Sequence, residues 1–187
     1  IGAFNKGGGA AYIFTRNGTL WTQQKILSND TTSGDYFGFS VAISGDYMIV
    51  GAWNEDSGTP TSLTDAGSVY IFKRDGTTWS QQQKIQAIDR AAGDYFGYFV
   101  SISGNYAIVG AYRDDSSTGS AYIFKYNGTT GVWSEINKIQ ASDKVGGDIF
   151  GYSVSISGDY VISGAFNKSG GGAAYIYPFE PLLDFDN

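Results

Sequence analysis

The chain has 187 residues and a formal net charge of −6, and it contains neither Cys nor His. The acidic balance argues against nucleic acid, whose phosphates need a basic surface. The missing thiols and imidazoles exclude disulfides, thiolate metal sites and the commonest general base. No stretch approaches the roughly 18 apolar residues of a membrane-spanning helix, and a hydrophobic content of 42% predicts a packed core.

One pattern recurs four times along the chain, and its first and last copies are incomplete. The first full copy begins at Phe37-Gly38, and the pattern returns at Phe96 and Phe150. Such a repeat predicts a stacked or radial array whose units bury their apolar faces against one another. We divide the chain into a partial repeat (1–30), two full repeats (31–89 and 90–143), a partial repeat (144–177) and a tail (178–187).

The opening copy predicts three strands, because it lacks the Phe-Gly segment. Gly2-Ala3 corresponds to the end of a second strand, and an apolar run over residues 10–14 predicts a third strand. Asn17-Gly18 is a hairpin signal of type I′, because both residues tolerate positive φ. A fourth strand with Trp21 follows that turn.

Each full copy predicts four strands. In the first, Phe39, Val41 and Ile43 alternate with small or polar residues, as a strand requires. A Ser-Gly-Asp turn at 44–46 then leads to strands over 47–52 and 68–72 that are apolar on both faces, so both faces need cover. The Gly-Ala pair that ends the second strand removes side-chain bulk, which allows close approach of backbones.

The remaining elements complete an all-β prediction of about 14 strands. Asp75-Gly76 and Asn127-Gly128 predict further two-residue turns, and the fourth strands are polar, as outer edges should be. The closing copy predicts three strands, and no long segment has helical periodicity. We therefore expect a β-propeller-like array of four-stranded antiparallel blades with incomplete terminal blades and essentially no helix.

The motifs carry a family resemblance across residues 2–177. Phe-Gly at 37–38, 96–97 and 150–151, each followed by Gly-Ala, resembles the FG-GAP repeat. The resemblance implies a β-propeller, an extracellular or cell-surface setting, and roles in adhesion and assembly, as in integrin α-chain heads. Integrin-type repeats carry an Asp-rich calcium loop where this chain has a tight turn at 44–47, so the family's calcium sites are not transferred to it.

Acidic residues recur before each Phe-Gly, at Asp30 and Asp35 in the first full copy. They can be read as paired metal or acid–base groups, or as side chains that cap a turn. Recurrence in every unit favours caps, because a catalytic pair is needed once. We predict no catalytic residue and no cofactor. The candidate calcium ligands are acids of the variable loops, with solvated surface as the alternative: Asp56, Asp114 and Asp115.

Two further groups of residues are candidates for modification and assembly. Four sequons lie in predicted turns and are candidate glycosylation sites, with unmodified turn asparagines as the alternative: Asn17, Asn29, Asn127 and Asn167. The tail departs from the repeat, and four of its apolar residues are expected to contact a neighbouring subunit: Phe179, Leu182, Leu183 and Phe185.

These observations favour a non-enzymatic, extracellular structural protein. Unfinished blades leave open edges, and head-to-tail contacts that do not close produce filaments. We therefore expect the chain to assemble with itself into a glycosylated surface filament or matrix. The alternatives are an adhesion or carbohydrate-binding module that binds glycans or a cell-surface protein, and a fragment of a larger closed propeller. No nucleic-acid partner and no membrane span are expected.

Overall fold

A computed structural model of the protein describes residues 1–5, 7–56 and 63–178 and confirms the all-β prediction. Over these residues it contains one short helix, α1 (Asp114–Ser117), and fourteen strands: β1 (Gly2–Ala3), β2 (Ala10–Asn17), β3 (Leu20–Ile26), β4 (Ser40–Ser44), β5 (Tyr47–Ala52), β6 (Ser68–Asp75), β7 (Thr78–Ile85), β8 (Val100–Ser103), β9 (Tyr106–Ala111), β10 (Ser120–Asn127), β11 (Val132–Ile139), β12 (Phe150–Ser157), β13 (Tyr160–Ala165) and β14 (Ala173–Pro178).

The strands form four antiparallel sheets, which we call the first to fourth blades. The first contains β1–β3, the second β4–β7, the third β8–β11 and the fourth β12–β14, and neighbours in each sheet follow chain order. The first strands β4, β8 and β12 pack beside one another on the inner side of the array. Within the described residues, the first blade therefore has no inner strand and the fourth has no outer one. Within the described residues, no helix is long and apolar enough to cross a membrane.

The turns follow the predicted chemistry with one exception. Gly45, Gly104 and Gly158 have φ of 56°, 54° and 52°, which is the left-handed conformation that the first hairpins require. The predicted two-residue turn at Asn127-Gly128 is wrong, because residues 128–131 form a longer connection. There Gly131 has a φ of 72°, and its N–H donates to the carbonyl of Asn127 at 2.8 Å.

Each blade buries two different apolar faces. The front face of the second blade contacts the first blade through a buried cluster that includes Met48, Tyr70, Phe72 and Trp79. Its rear face supplies Ile49 and other residues to a cluster with the front face of the third blade. A third cluster joins the third and fourth blades in the same way. The core is thus a series of rear-to-front junctions between consecutive blades.

In the part of the chain that the structure describes, the two outermost faces have no neighbouring blade. On the front face of the first blade, Trp21 is 62% exposed, whereas its equivalents Trp79 and Trp133 are 7% and 2% exposed. On the rear face of the fourth blade, Ile176 is 66% exposed, although its equivalent Ile71 is fully buried. The fourth-strand tryptophans therefore serve blade packing only where a preceding blade covers them.

Candidate binding surfaces

The Phe-Gly and Gly-Ala motifs of successive blades meet at each junction. A Cβ placed on Gly51 would lie 2.0 Å from the carbonyl oxygen of Gly97 in the next blade, and one on Gly110 would lie 2.1 Å from that of Gly151. No real Cβ fits at that distance, so the close approach predicted for Gly-Ala is confirmed. Glycine at this position is what allows the next blade's Phe-Gly segment to dock.

The phenylalanine of each Phe-Gly fills the front face of its own blade. Phe96 is fully buried, and its ring lies edge-on to Tyr122 and Phe124 at centroid distances of 5.5 and 5.9 Å. Phe37 and Phe150 occupy the same place in the second and fourth blades. Edge-to-face packing adds specificity to the large apolar area that each ring buries.

The first blade leaves an open apolar groove where such a segment would lie. This groove, here called the first-blade groove, has a volume of about 500 Å³ and is lined by residues that include Ile13, Phe14, Val41, Ile43 and Met48. Ile43 is 57% exposed, whereas its equivalents Ile102 and Ile156 are 7% and 5% exposed. The difference arises because the first blade, over the residues described, consists of β1–β3 alone and has no inner strand beside Ile43.

A lysine cluster repeats at the outer side of the full blades. The ammonium of Lys84 lies 2.8 Å from Asp30 and 2.7 Å from Glu55. In the next blade, Lys138 lies 2.7 Å from both Asp89 and Asp114. Each lysine comes from a fourth strand and each first aspartate from the segment before Phe-Gly, so the cluster ties consecutive repeats together.

In the third blade, the charged groups around Lys138 shift one another's pKa values. Burial alone would lower the pKa of Lys138, but hydrogen bonds to the carboxylates of Asp114 and Asp89 raise it. Burial raises the pKa of Asp89, but the hydrogen bond from Lys138 lowers it, and the net shift is downward. Burial, opposed by a hydrogen bond from the Ala91 N–H, raises the pKa of Asp94 to about 6.

The fourth blade assembles a related cluster from a different residue. Lys168 lies in the loop after Gly-Ala, at the sequence position of Glu55 and Asp114. Its ammonium lies 3.3 Å from Asp143 and 2.8 Å from Asp148. The lysine therefore reaches the same acidic segment from the loop rather than from a fourth strand.

The second acid of each pair before Phe-Gly caps a turn. The backbone N–H of Thr32 donates to Asp35 at 2.6 Å, and that of Val145 donates to Asp148 at 2.7 Å. Asp94 accepts in the same way from Ala91. The first acid of each pair faces a lysine, and in the fourth blade Asp148 also faces the lysine that Asp143 contacts.

The candidate calcium ligands do not form an oxygen cage. Asp114 and Asp115 lie 2.7 and 3.6 Å from the ammonium of Lys138, so a cation of the protein already pairs with both. Asp56 belongs to another loop and accepts the backbone N–H of Asp65 at 2.9 Å. Among the described residues, no three acidic side chains are grouped as metal ligands, so these residues do not fit the six to eight oxygens of calcium.

The four candidate glycosylation sites are exposed, but their side chains differ in what they contact. The Oδ1 of Asn127 accepts the N–H groups of Thr129 and Thr130, and the Nδ2 of Asn167 donates to the carbonyl of Gly147. Asn17 and Asn29 make no side-chain hydrogen bond within the described ranges. The assembly residues Phe179, Leu182, Leu183 and Phe185 lie outside the described residues.

A continuous band of aromatic rings crosses all four blades near the start of the inner strands. Neighbouring ring centroids lie 4.5 to 6.0 Å apart. Most rings are half-buried, while Phe166 at one end is 68% exposed. We call this surface the aromatic band; its members are Phe4, Tyr36, Phe39, Trp53, Tyr95, Tyr98, Phe99, Tyr112, Tyr152 and Phe166.

The band draws on two positions of the repeat. One is the residue after Gly-Ala, such as Trp53, which is aromatic in every copy, and recurrence at a fixed position favours packing. The residues that flank Phe-Gly were missed, although aromatic residues recur there. Tyr36 and Tyr95 have φ of 57° and 60°, which is unusual for large side chains and turns their rings toward the band.

Comparison with known proteins identifies the class of repeat. The family model described as FG-GAP repeat matches residues 21–72, 79–124 and 133–177, so the chain belongs to the FG-GAP repeat family. Among solved structures, the chain resembles the periplasmic gluconolactonase PpgL of Pseudomonas aeruginosa, with a TM-score of 0.51 and 15% identity over 95% of this chain and 48% of that one. The chain thus spans about half of that structure, and the likeness concerns the fold alone. No curated protein matches it.

Proposed function

We propose that the protein is a non-enzymatic structural module that assembles head-to-tail with further copies of itself, in an extracellular or periplasmic setting. The proposal is carried by one observation: the two exposed terminal faces are the two halves of a junction that occurs three times within the chain. At one end, the front face exposes Phe14 and Trp21. At the other end, the rear face exposes Ile162 and Ile176, and no described segment covers either face.

The internal junctions indicate which residues would meet. Ile71 on the rear face of the second blade and Phe124 and Trp133 on the front face of the third belong to one buried cluster. Ile176 is the equivalent of Ile71, and Phe14 and Trp21 are the equivalents of Phe124 and Trp133. A rear-to-front contact between two copies would therefore bury an apolar surface of the kind that the chain already buries within itself.

Charge substitutions on either terminal face should separate the copies. Ile176→Asp and Trp21→Asp each place a carboxylate in the proposed contact, so we expect self-association to weaken at least about tenfold, or roughly 1.4 kcal/mol. Sedimentation velocity over a concentration series measures this effect. Ile88→Asp is the matched control, because Ile88 is 77% exposed and lies on neither face.

Mixing the two variants tests the polarity of the contact. Each variant retains one intact face, so an equimolar mixture should form heterodimers. Oligomers of more than two copies should not form. Electron microscopy of the unmodified chain should show linear particles. Self-association that survives both substitutions, or a mixture that stays monomeric, would overturn the head-to-tail arrangement.

The tail is proposed to strengthen this contact. Deletion of residues 179–187 removes Phe179, Leu182, Leu183 and Phe185 while Trp21 and Ile176 stay in place, and it is included as a third arm of the same sedimentation series. Unchanged association of the truncated chain would remove the tail from the interface and leave the blade contact intact.

The aromatic band favours a second function, binding of saccharides. Ring faces of tyrosine and tryptophan stack on the apolar faces of sugars, and their polar edges hydrogen-bond to hydroxyl groups. Phe166→Ala is expected to remove at least half of the binding signal on a glycan array, while Ile88→Ala should leave it unchanged. The absence of binding by the unmodified chain would exclude this function and leave the assembly proposal untouched.

A further inference from the structure

We propose that Tyr47 and Tyr126 form a site of oxidative cross-linking, at which a peroxide-driven one-electron oxidant joins their two rings by a covalent bond. The product is a dityrosine that ties the second blade to the third within one chain. This modification goes beyond the structural role proposed above and does not depend on self-association. It is supported by the positions of the two rings, by the groups around them and by the chemistry of phenols.

The two tyrosines meet at the junction between the second and third blades. Tyr47 is the first residue of β5 and Tyr126 lies near the end of β10, and both pack against the buried cluster that joins these blades. Their ring centroids lie 5.0 Å apart with 50° between the ring planes, near the short end of the range of about 4.5 to 7 Å for aromatic pairs. Trp133 packs against both rings at 5.5 Å, which holds them against each other.

A hydrogen bond joins the hydroxyl groups of the pair. Burial and this hydrogen bond raise the pKa of Tyr47 to about 12, so Tyr47 is the donor. The same bond, together with the nearby ammonium of Lys73, lowers the pKa of Tyr126. Because the ortho carbons flank the carbon that bears the hydroxyl, a contact between two hydroxyls also places an ortho carbon of one ring beside one of the other. The ortho carbons are the atoms through which phenoxyl radicals couple.

The pair includes a residue that departs from the repeat. Tyrosine begins the second strand in all three copies that contain a first hairpin, so Tyr47 is a feature of the repeat. Tyr126 is not, because the same position holds Arg16 and Arg74 in the preceding copies. There the Nε of Arg74 donates to the carboxylate of Asp46 at 2.9 Å. This tyrosine pair is therefore particular to the junction between the second and third blades.

The reaction balances with hydrogen peroxide as the oxidant. Each phenol gives up one electron and one proton, and the two phenoxyl radicals join through a new carbon–carbon bond between their ortho carbons. The hydrogens on those carbons then move to the two oxygens, which restores both hydroxyls and both aromatic rings. The two electrons and two protons convert one peroxide molecule into two water molecules. Both side chains are partly exposed, so an oxidant in solution has access to them.

A second hydrogen-bonded pair, Tyr98 and Tyr152, is a less favourable site. Its ring centroids lie 5.5 Å apart, and burial together with the hydrogen bond to Tyr152 raises the pKa of Tyr98 to about 12. Tyr98 also lies inside the aromatic band, where Tyr112 and Phe39 approach it to 4.6 and 4.7 Å. A radical formed there has several neighbouring rings to which it can pass, so coupling within the pair has competition.

The test oxidises the unmodified chain at low concentration with hydrogen peroxide and a catalytic amount of a haem peroxidase. We expect the monomer to lose the mass of two hydrogen atoms and to gain dityrosine fluorescence. A protease digest should contain a peptide that joins the segment of Tyr47 to that of Tyr126. Tyr47→Phe and Tyr126→Phe each keep a ring but remove one phenol, so both variants should lose this peptide. Tyr160→Phe is the matched control, because Tyr160 has the same repeat position and is 59% exposed; it should keep the peptide.

Two further measurements do not depend on any variant. The cross-link constrains the unfolded chain as a disulfide does, so the urea midpoint of the oxidised chain should rise. Oxidation in urea, where the blades have separated, should not produce the peptide. Absence of an intramolecular cross-link in the folded chain, equal cross-linking in urea, or a cross-link at Tyr98 and Tyr152 in its place would overturn the site. None of these results bears on whether the terminal faces associate.

Discussion

Gly110→Ala is expected to destabilise the protein by about 3 kcal/mol or more, which is a large fraction of the stability of a typical domain. The added Cβ would lie 2.1 Å from the carbonyl oxygen of Gly151 and 3.1 Å from its carbon. Both obstacles are backbone atoms held in neighbouring sheets, so no side-chain rotation relieves the overlap. The third and fourth blades would have to move apart, which opens their shared apolar cluster.

Urea unfolding with fluorescence detection measures this change, and two other glycines provide matched controls. A Cβ on Gly128 meets no atom within 4 Å, so Gly128→Ala should leave stability nearly unchanged. Gly164 occupies the position of Gly110 in the fourth blade, but there the nearest atom is the flexible Ser153 Oγ at 2.6 Å. Gly164→Ala should therefore cost much less than Gly110→Ala. Equal costs at both positions would show that the junction does not set the requirement for glycine.

The strands could be predicted from the sequence because their signals are local. Strand positions follow from local alternation and from turn residues such as Gly45, which need only their immediate neighbours. Close backbone approach at Gly-Ala could also be predicted, because two small residues at a strand end remove side-chain bulk. The failure at Asn127-Gly128 has the same local origin, because Asn127 caps a longer loop through Thr129 and Thr130.

The binding surfaces were harder to predict because they depend on contacts between repeats. Apolar residues on both faces of a strand show that cover is needed, but not that Phe124 faces the preceding blade while Ile123 faces the following one. The first-blade groove appears only when Ile43 is compared with Ile102 in three dimensions. Likewise, the loop acid Asp114 resembled a calcium ligand until its distance to Lys138 was known.

Lys138→Met should destabilise the protein by about 3 kcal/mol at neutral pH, because it leaves a buried carboxylate without its cation. Asp114 is 4% exposed and would keep only the Tyr122 hydroxyl, at 3.2 Å. Methionine preserves most of the aliphatic stem, so the loss reports on charge rather than on packing. Lys25→Met is the control, because Lys25 is exposed and has no ion pair in the described segments; it should be nearly neutral.

The pH dependence of this penalty gives a second, independent check. The pKa of Asp89 is lower in the folded protein than in the unfolded chain. Its ionised carboxylate therefore adds to the free energy of unfolding above the unfolded pKa of about 3.9, and this stabilisation is lost as the pH falls through the folded pKa. The pKa of Lys138 is higher in the folded protein than in the unfolded chain. Its ammonium therefore adds to the free energy of unfolding below the unfolded pKa of about 10.4, and this stabilisation is lost as the pH rises through the folded pKa. The stability difference between the unmodified chain and Lys138→Met should therefore be greatest between these limits. A difference that stays constant from pH 3 to pH 8, or a double variant Lys138→Met with Asp114→Asn that is no more stable than the single one, would show that the cluster does not hold the repeats together by charge.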